Sequence, residues 1–225
     1  MEKCFAFFDV DETLIRIKSM FAFQEYYYLN HPKNGENLGK YKYQKFLEQM
    51  YTWAQHYDRT VVNEKYYETF RGRNKAEVKV MAQKWFTDLK NKDPNLYISS
   101  TMEALRVHRQ NGTEIVLLSG SSVEILSPLA ADLNVQYLLA TNLEISGSVF
   151  TGKILPPQTI GEGKAVALQR FLSEMKCSGA ACHAYGDHIS DLYMLESVGF
   201  PHVVSGDESL EKIAGERKWN ILKRL

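Results

Sequence analysis

Two carboxylates one residue apart follow an apolar run near the N-terminus. Residues 4–14 read CFAFFDVDETL, so the apolar run leads directly into Asp9 and Asp11. Carboxylates this close repel each other unless a cation lies between them or one of them keeps its proton. One is then suited to act as a nucleophile held by a divalent metal, and the other as a proton carrier with a raised pKa. Taken alone, the segment could also be an acidic turn after a core strand.

The apolar run itself predicts the element that positions these carboxylates. An unbroken run of this length is typical of a strand buried on both faces of a parallel sheet. Because side chains alternate along a strand, Asp9 and Asp11 would share a face if the extended conformation continued past Phe8. Ligands bind at the carboxyl ends of the strands in such sheets, so we expect both carboxylates at a ligand-binding edge.

Other polar residues stand at later strand ends and helix starts. Ser119 and Gly120 follow the predicted strand at residues 114–118, which is apolar after Glu114. Lys164 opens a helix, and Asp187 and Asp191 follow the short strand that begins at residue 183. Singly, these are ordinary turn, solvated or helix-capping residues. Together they fit a phosphoryl-transfer site, in which carboxylates and a divalent cation hold one side of a phosphate while a hydroxyl, backbone N–H groups and a lysine hold its other oxygens.

The remaining pattern predicts an α/β fold. Strands are predicted at residues 4–8, 114–118, 137–140, 183–187 and 202–204, with a hairpin of residues 143–145 and 149–151, and helices at about 96–108, 123–133, 161–175, 190–196 and 208–216. Strands alternating with helices indicate a parallel sheet with right-handed crossovers. Residues 19–89 instead carry aromatic and apolar residues at helical spacing, which predicts a four-helix insertion with its own core.

Composition limits the function classes. The 225 residues suffice for one α/β domain, or for a core with a smaller insertion. With 27 basic and 27 acidic residues the net charge is zero, which argues against a nucleic-acid partner. We find no apolar run long enough for a membrane span and no signal peptide. Three cysteines without a CxxC pair are typical of reduced thiols, so a cytoplasmic location is expected.

Four segments resemble the motifs of the haloacid dehalogenase-like phosphatases, specifically subfamily IB, the branch similar to phosphoserine phosphatase. FFDVDETL resembles the motif DxDx[T/V], VLLSGSS the second motif, GEGKAVAL the third and YGDHISDLYML the fourth, GDxxxD. The resemblance implies a three-layer, Rossmann-like parallel sheet core with a small all-helical cap inserted after the first strand. The core would comprise residues 1–16 and 92–225 and the cap residues 17–91, hinged at about 15–19 and 88–96.

The resemblance also implies residue roles and a Mg²⁺ cofactor. Asp9 would be the nucleophile that forms an aspartyl-phosphate, and Asp11 the acid and base that also ligates the metal through its carbonyl. The other implied roles are a metal ligand (Asp187), phosphate binding (Ser119, Gly120, Lys164) and support of the site (Thr13, Asp191). The function implied is a magnesium-dependent phosphatase acting on a small-molecule phosphomonoester. A phosphotransferase or mutase, and a non-catalytic metal-binding module, are the alternatives.

The sequence leaves the identity of the substrate's leaving group open. Phosphoserine phosphatases carry an acidic residue shortly after the first motif, whereas residues 15–20 here read IRIKSM and hold no carboxylate. We therefore expect an enzyme that is not specific for phosphoserine. Lys18, Arg71 and Arg73 are candidates for contacts with an anionic or hydroxyl-rich leaving group, although solvated positions are equally compatible with the pattern. His188 lies inside the fourth motif and could face the site, but a surface or loop-packing role is the favoured interpretation.

Overall fold

The central sheet follows directly from the apolar segments of the sequence. The computed structural model describes residues 4–225, and its strands there are β1 (Phe5–Phe8), β2 (Glu114–Ser122), β3 (Tyr137–Ser146), β4 (Val149–Leu155), β5 (His183–Gly186), β6 (Phe200–Val204) and β7 (Asn220–Leu222). Their order in the sheet is β4-β3-β2-β1-β5-β6-β7. Every neighbouring pair is parallel except β3 and β4. The first strand therefore lies at the centre of the sheet, with β2 and β5 on either side.

Helices account for most of the remaining chain. In residues 4–225 they are α1 (Ser19–Asn30), α2 (Glu36–His56), α3 (Arg59–Glu68), α4 (Lys75–Lys92), α5 (Ser99–Gln110), α6 (Val123–Asp132), α7 (Glu162–Met175), α8 (Leu192–Glu196) and α9 (Glu208–Arg217). None of these helices combines the length and the apolar character needed to cross a membrane.

Strand β1 shows why the sheet is covered on both faces. Phe5 and Phe7 belong to one apolar cluster with residues of α7, α8 and α9, whereas Ala6 and Phe8 belong to a second cluster on the opposite face with α5, α6 and the helical insertion. All four side chains are fully buried. Burial of a phenylalanine contributes about 1.5–3 kcal/mol, so both layers are anchored on this strand. The three-layer α/β prediction is confirmed.

Three details differ from the predicted elements. The segment predicted as a strand followed by half of a hairpin is the single strand β3, which pairs with β2 at one end and with β4 at the other. A further strand, β7, follows α9 at the edge of the sheet, so residues 202–204 are not the last strand. Finally, β1 ends at Phe8, and Glu12 adopts a left-handed conformation with φ of 62°. Asp9 and Asp11 therefore lie beyond the end of β1, where Asp11 forms an isolated bridge with Ile15, rather than on a continued strand.

The insertion between β1 and β2 contains the four predicted helices, α1–α4. We call these helices and the turns between them the helical segment. Its interior is aromatic, with Phe23, Tyr66 and Phe70 fully buried. The two chain connections that lead into it and out of it lie side by side, since the Arg16 N–H donates to the Leu96 carbonyl at 2.9 Å.

A second attachment joins the helical segment to the β3–β4 hairpin. The N–H of Gly72 donates to the carbonyl of Phe150 at 2.8 Å, and the N–H of Phe150 donates to the carbonyl of Arg73 at 3.0 Å. Gly72 has a φ of 79°, a conformation that glycine adopts without strain. The turn after α3 is thus held against the sheet as well as against the other helices of the segment.

Candidate active site

The structure places most of the chemistry-bearing residues around one cavity of about 330 Å³. It lies at the carboxyl ends of β1, β2 and β5, the edge at which α/β sheets bind ligands. The sequence-derived candidates that line it are Asp9, Asp11, Lys18, Ser119, Gly120, Lys164, Asp187 and Asp191. Thr13 is buried beneath this surface and donates a hydrogen bond from its hydroxyl to Asp187 Oδ1 at 3.0 Å.

Lys164 is the central cation of the cavity. Its Nζ lies 2.5 Å from Asp9 Oδ1 and 2.6 Å from Asp191 Oδ1, and all three side chains are buried. Burial opposes the ammonium charge, but the neighbouring carboxylates of Asp191 and Asp9 outweigh it and hold the pKa of Lys164 above its usual range. The start of α7 depends on Gly163, because a Cβ there would lie 1.6 Å from the Gln158 carbonyl oxygen. The glycine thus permits the close turn that presents the lysine.

A buried acidic cluster faces this lysine. Carboxylate oxygens of Asp9, Asp187 and Asp191 lie within 4.8 Å of one another. Asp11 Oδ1 is also buried and has no hydrogen-bond partner in residues 4–225. Hard carboxylate oxygens are the donors that Mg²⁺ prefers, and an unpaired buried oxygen leaves a contact for a ligand to satisfy. The residues present therefore fit a magnesium ion.

The electrostatics of the acidic residues agree with this interpretation. Burial raises the pKa of Asp11 to about 7. Burial and the negative charges of Asp9 and Asp191 raise the pKa of Asp187 to about 7. Burial also raises the pKa of Asp9, against the effect of the Lys164 ammonium. Protons are retained near neutral pH when no further cation shares the cluster, and Asp11 is suited to carry one.

The end of β2 presents the expected hydroxyl and a constrained backbone. Ser119 is buried, and its Oγ accepts a hydrogen bond from the N–H of Ser121 at 3.2 Å. The neighbouring Gly120 carbonyl accepts hydrogen bonds from the hydroxyls of Tyr67 at 3.1 Å and Thr141 at 2.9 Å. This end of β2 is therefore positioned both by α3 of the helical segment and by β3 of the sheet.

Within the fourth motif, the Asp191 side chain is hydrogen-bonded to the backbone at the start of the motif. Its Oδ2 accepts hydrogen bonds from the backbone N–H groups of Asp187 at 3.2 Å and His188 at 3.3 Å. A Cβ on Gly186 would lie 2.7 Å from Asp191 Cβ, so only glycine allows this approach. The GDxxxD spacing thus positions two carboxylates at the same cavity while Oδ1 of Asp191 remains available to Lys164.

The helical segment supplies the opposite wall of the cavity. This wall is mainly apolar and comprises Met20, Phe21, Met50, Ala54 and Val62, with Asn63 beside them. Two cations and an imidazole stand nearer the mouth. Lys18 Nζ lies 3.4 Å from Glu12 Oε2, and Arg59 Nη1 lies 2.6 Å from His188 Nδ1. His188 therefore lines the cavity and contacts the helical segment, which agrees with the alternative that it faces the site rather than with the favoured surface or loop-packing role.

Two of the tentative leaving-group residues do not reach this cavity. Arg71 and Arg73 line a different depression, on the helical segment. The Arg73 guanidinium packs 4.1 Å from the ring centre of Tyr27 and 4.4 Å from that of Phe70, and it donates to Gln24 Oε1 at 2.9 Å. These contacts correct the expectation that the two arginines lie at the leaving group.

Two arginines that the sequence analysis did not select lie at the site instead. Arg224 donates from Nη2 to Asp187 Oδ2 at 2.8 Å, and Arg59 borders the cavity mouth. Both lie far in sequence from the motif residues that they accompany. Neither carries a local pattern, because only the tertiary fold brings them to the sheet edge.

Comparisons with known proteins agree with this geometry. The family model described as haloacid dehalogenase-like hydrolase matches residues 6–196. A protein named as a probable phosphatase of Mycobacterium tuberculosis is 29% identical over 217 residues, which cover 96% of this chain and 74% of that protein.

Two solved structures share the fold at lower identity. A protein of unknown function from Bordetella pertussis superposes with a TM-score of 0.85 at 20% identity, over the full length of both chains. A phosphoserine phosphatase, solved as an analogue of the phospho-aspartyl intermediate, superposes with a TM-score of 0.67 at 14% identity and covers 100% of this chain and 95% of its own. The family model spans most of the sequence and all four motifs. The chain therefore belongs to the haloacid dehalogenase-like hydrolase family.

Proposed function

We propose that this hydrolase is a magnesium-dependent phosphatase that acts on a small-molecule phosphomonoester through an aspartyl-phosphate on Asp9. The coarser part of this assignment follows from the family and from a relative named as a probable phosphatase: the chain is a phosphatase. The observation that supports the mechanism best is the buried set of Asp9, Lys164 and Asp191. Asp11 Oδ1, which has no hydrogen-bond partner among residues 4–225, is also buried.

In the first step, an Asp9 carboxylate oxygen attacks phosphorus, and the bond from phosphorus to the leaving oxygen breaks. Asp11 gives its proton to that oxygen, so the product alcohol leaves neutral. Lys164 and Ser119 hold the phosphoryl oxygens, and the lysine charge offsets that of the nucleophile. Asp191 orients Lys164 through their contact at 2.6 Å.

In the second step, water attacks the phosphorus of the aspartyl-phosphate. Asp11, now a carboxylate, takes the proton of that water, and the Asp9 carboxylate is regenerated. A single protonatable group thus serves both steps. Its pKa of about 7 suits both the protonated and the ionised form near neutral pH.

Asp9, Asp187 and the Asp11 backbone carbonyl would hold the magnesium ion, with Asp191 close by. When bound, the ion supplies positive charge against the phosphate and against the acidic cluster. Thr13 donates a hydrogen bond to Asp187 Oδ1, and Arg224 donates one to Asp187 Oδ2. These two contacts orient the carboxylate before any substrate binds.

The cavity wall argues for an apolar leaving group without an ammonium. The residues that the helical segment contributes to the lining include no carboxylate. Glu12, the acidic residue nearest the mouth, has Lys18 at 3.4 Å and Arg224 at 3.8 Å. A substrate ammonium on that wall would therefore lose hydration without meeting a carboxylate of the helical segment, which costs several kcal/mol. We propose that the enzyme is not specific for phosphoserine.

A substrate panel tests this function with excess magnesium. Hexyl phosphate and p-nitrophenyl phosphate represent apolar leaving groups, and phosphoserine and phosphoethanolamine represent those with an ammonium. We expect kcat/KM to be at least about tenfold higher for the apolar pair, the usual size of a pocket preference. Phosphoserine at the top of the panel would contradict the leaving-group assignment. No release of phosphate from any of the four would contradict the proposed phosphatase itself.

A further inference from the structure

A second cavity lies on the helical segment, outside the catalytic one. Its volume is about 570 Å³, within the range of roughly 300–1,000 Å³ that is typical of small-ligand sites. Residues of α1, of α2, of the turns after α1 and α3 and of the first turn of α4 line it. Asp9, Asp11, Lys164 and the other residues of the catalytic edge are not part of this lining.

The charge of this cavity is unbalanced. Five lysines and arginines line it: Lys33, Lys42, Lys45, Arg71 and Arg73. Lys45 pairs with Glu48, and the carboxylate of Glu77, a lining residue, contacts His31. No carboxylate oxygen of residues 4–225 lies within 4.0 Å of a side-chain nitrogen of the other four cations. Four cations around one cavity repel one another, and an anionic ligand would relieve that repulsion.

One of these cations is positioned in advance. The Arg73 guanidinium lies over the rings of Tyr27 and Phe70 and donates to Gln24 Oε1 at 2.9 Å and to Tyr28 Oη at 3.4 Å. An arginine held by packing loses little conformational entropy when it binds a phosphate, and its planar fork suits two phosphate oxygens. It provides a rigid anion contact beside Lys42, whose Nζ donates to Asn34 Oδ1 at 2.7 Å.

Aromatic side chains add a second requirement for the ligand. Four aromatic residues also line the cavity: Tyr27, Tyr28, Tyr41 and Phe46. Tyr27 and Phe46 are buried, whereas Tyr41 is 59% exposed. An exposed ring next to several cations is a surface on which a planar base can stack while its phosphates reach the lysines and arginines. We infer that this cavity binds a nucleoside phosphate. Its ring contacts Tyr28 and Tyr41, and its phosphates contact Arg71, Arg73 and Lys42.

The two cavities share two helices, so the test must separate them. Phe46 lines the nucleoside-phosphate cavity, and Met50, one turn further along α2, lines the catalytic one. A substitution at Arg71 or Lys42 leaves the catalytic lining intact. Hydrolysis of p-nitrophenyl phosphate should therefore be unchanged in such a variant, which also shows that it is folded.

The experiment is calorimetric titration with α,β-methylene adenosine diphosphate, which cannot be hydrolysed at the bridging position, in the presence of magnesium. Methylenediphosphonate is the probe without a ring. We expect the adenosine compound to bind the wild type, and R71E/K42E to lose at least about a hundredfold in affinity, since each charged contact is worth about tenfold. The matched control K40E/K79E makes the same change in net charge at two exposed lysines outside both cavities, and it should bind as the wild type does.

Three results would overturn the inference. One is absence of binding to the wild type, and another is equal affinity in R71E/K42E and in the control. The third is equal affinity of both probes for the wild type, which would remove the role assigned to the tyrosines. Because binding is measured with compounds that the enzyme does not turn over, none of these results depends on the proposed phosphatase mechanism.

Discussion

The two walls of the catalytic cavity are built in opposite ways. The sheet edge is polar. Lys164 Nζ lies within 2.6 Å of both Asp9 and Asp191, and Gly186 lets the backbone approach Asp191 closely. The wall from the helical segment is mainly apolar. Side chains of three helices form it, and Phe21 and Val62 are two of these side chains. One wall has the groups for phosphoryl transfer, and the other has the shape that meets a leaving group.

This contrast separates two kinds of sensitivity to substitution. On the sheet edge a change of one atom removes a charge or a proton that the reaction uses. On the helical wall a similar change alters only the affinity for part of the substrate. Activity should therefore fall steeply and uniformly for the first kind of substitution, and modestly and selectively for the second.

The largest effect is expected for Asp9→Asn. The amide keeps the size of the side chain but is not a nucleophile, so kcat should fall by roughly 10⁴- to 10⁶-fold for every substrate. Steady-state assays on hexyl and p-nitrophenyl phosphate measure this decrease in kcat. Asp93→Asn, outside the cavity lining, is the matched control and should keep wild-type activity. A selective loss on one substrate would place Asp9 in leaving-group binding instead.

Lys164→Met comes next, because it leaves two buried carboxylates without their shared cation. Removing one partner of a buried ion pair costs about 3–5 kcal/mol, so we expect the free energy of unfolding to fall by that amount. Urea denaturation with and without Mg²⁺ measures it. Magnesium should stabilise the variant more than the wild type, since the acidic cluster of the variant has lost its positive charge. Equal stabilisation of both proteins would argue against a shared cation site at Asp9.

On the helical wall, Val62→Thr should give a smaller and selective effect. Threonine matches the shape of valine but adds a hydroxyl to the apolar wall, which we expect to lower kcat/KM for hexyl phosphate by roughly tenfold. The rate for a substrate with a very small leaving group, methyl phosphate, should change much less. Val80→Thr, at an exposed position of α4, is the control. Equal losses on both substrates would mean that Val62 does not contact the leaving group.

The sequence predicted the sheet edge better than the helical wall, because local patterning places the edge residues whereas tertiary packing places the wall. The edge residues Asp9, Ser119, Lys164 and Asp187 each stand at a strand end or helix start that local apolar patterning defines, and the structure brings all of them to one cavity. The helical wall and the positions of Arg71 and Arg73 depend on how four helices pack against one another. Periodicity shows that these helices exist, but it does not determine which of their faces meets the site.

The missed strand β7 has a similar explanation. It contains only three residues, and its backbone hydrogen bonds with β6 are its main support. A segment this short carries no alternation from which a strand can be predicted. The same segment leads to Arg224, so the contact of that arginine with Asp187 could not be anticipated either.

The smallest expected effect concerns a region outside both walls. Burial lowers the pKa of His108 and of His202 to about 4, and both face His183, whose pKa burial also lowers. His108 additionally contacts the Tyr185 hydroxyl at 2.8 Å, and His202 contacts Asn220 at 3.1 Å. The unfolded chain takes up protons near pH 6.5, whereas the folded histidines resist protonation until about pH 4. The free energy of unfolding should therefore decrease as pH falls between these values.

His202→Asn isolates this contribution. With one titrating group removed, the decrease in the free energy of unfolding between pH 6.5 and 4.5 should be smaller than in the wild type. Urea denaturation at several pH values gives both slopes, and their difference cancels the titration of the catalytic carboxylates. An unchanged slope would show that His202 is not held neutral in the folded protein.

Covalent phosphorylation of Asp9 is tested most directly by rapid acid quench of the enzyme with ³²P-labelled hexyl phosphate and magnesium. The account predicts a transient label that is stable in acid and labile to hydroxylamine, that maps to the peptide containing Asp9, and that is absent from Asp9→Asn. Phosphate release at the full wild-type rate without any such label, or a label on another residue, would contradict it.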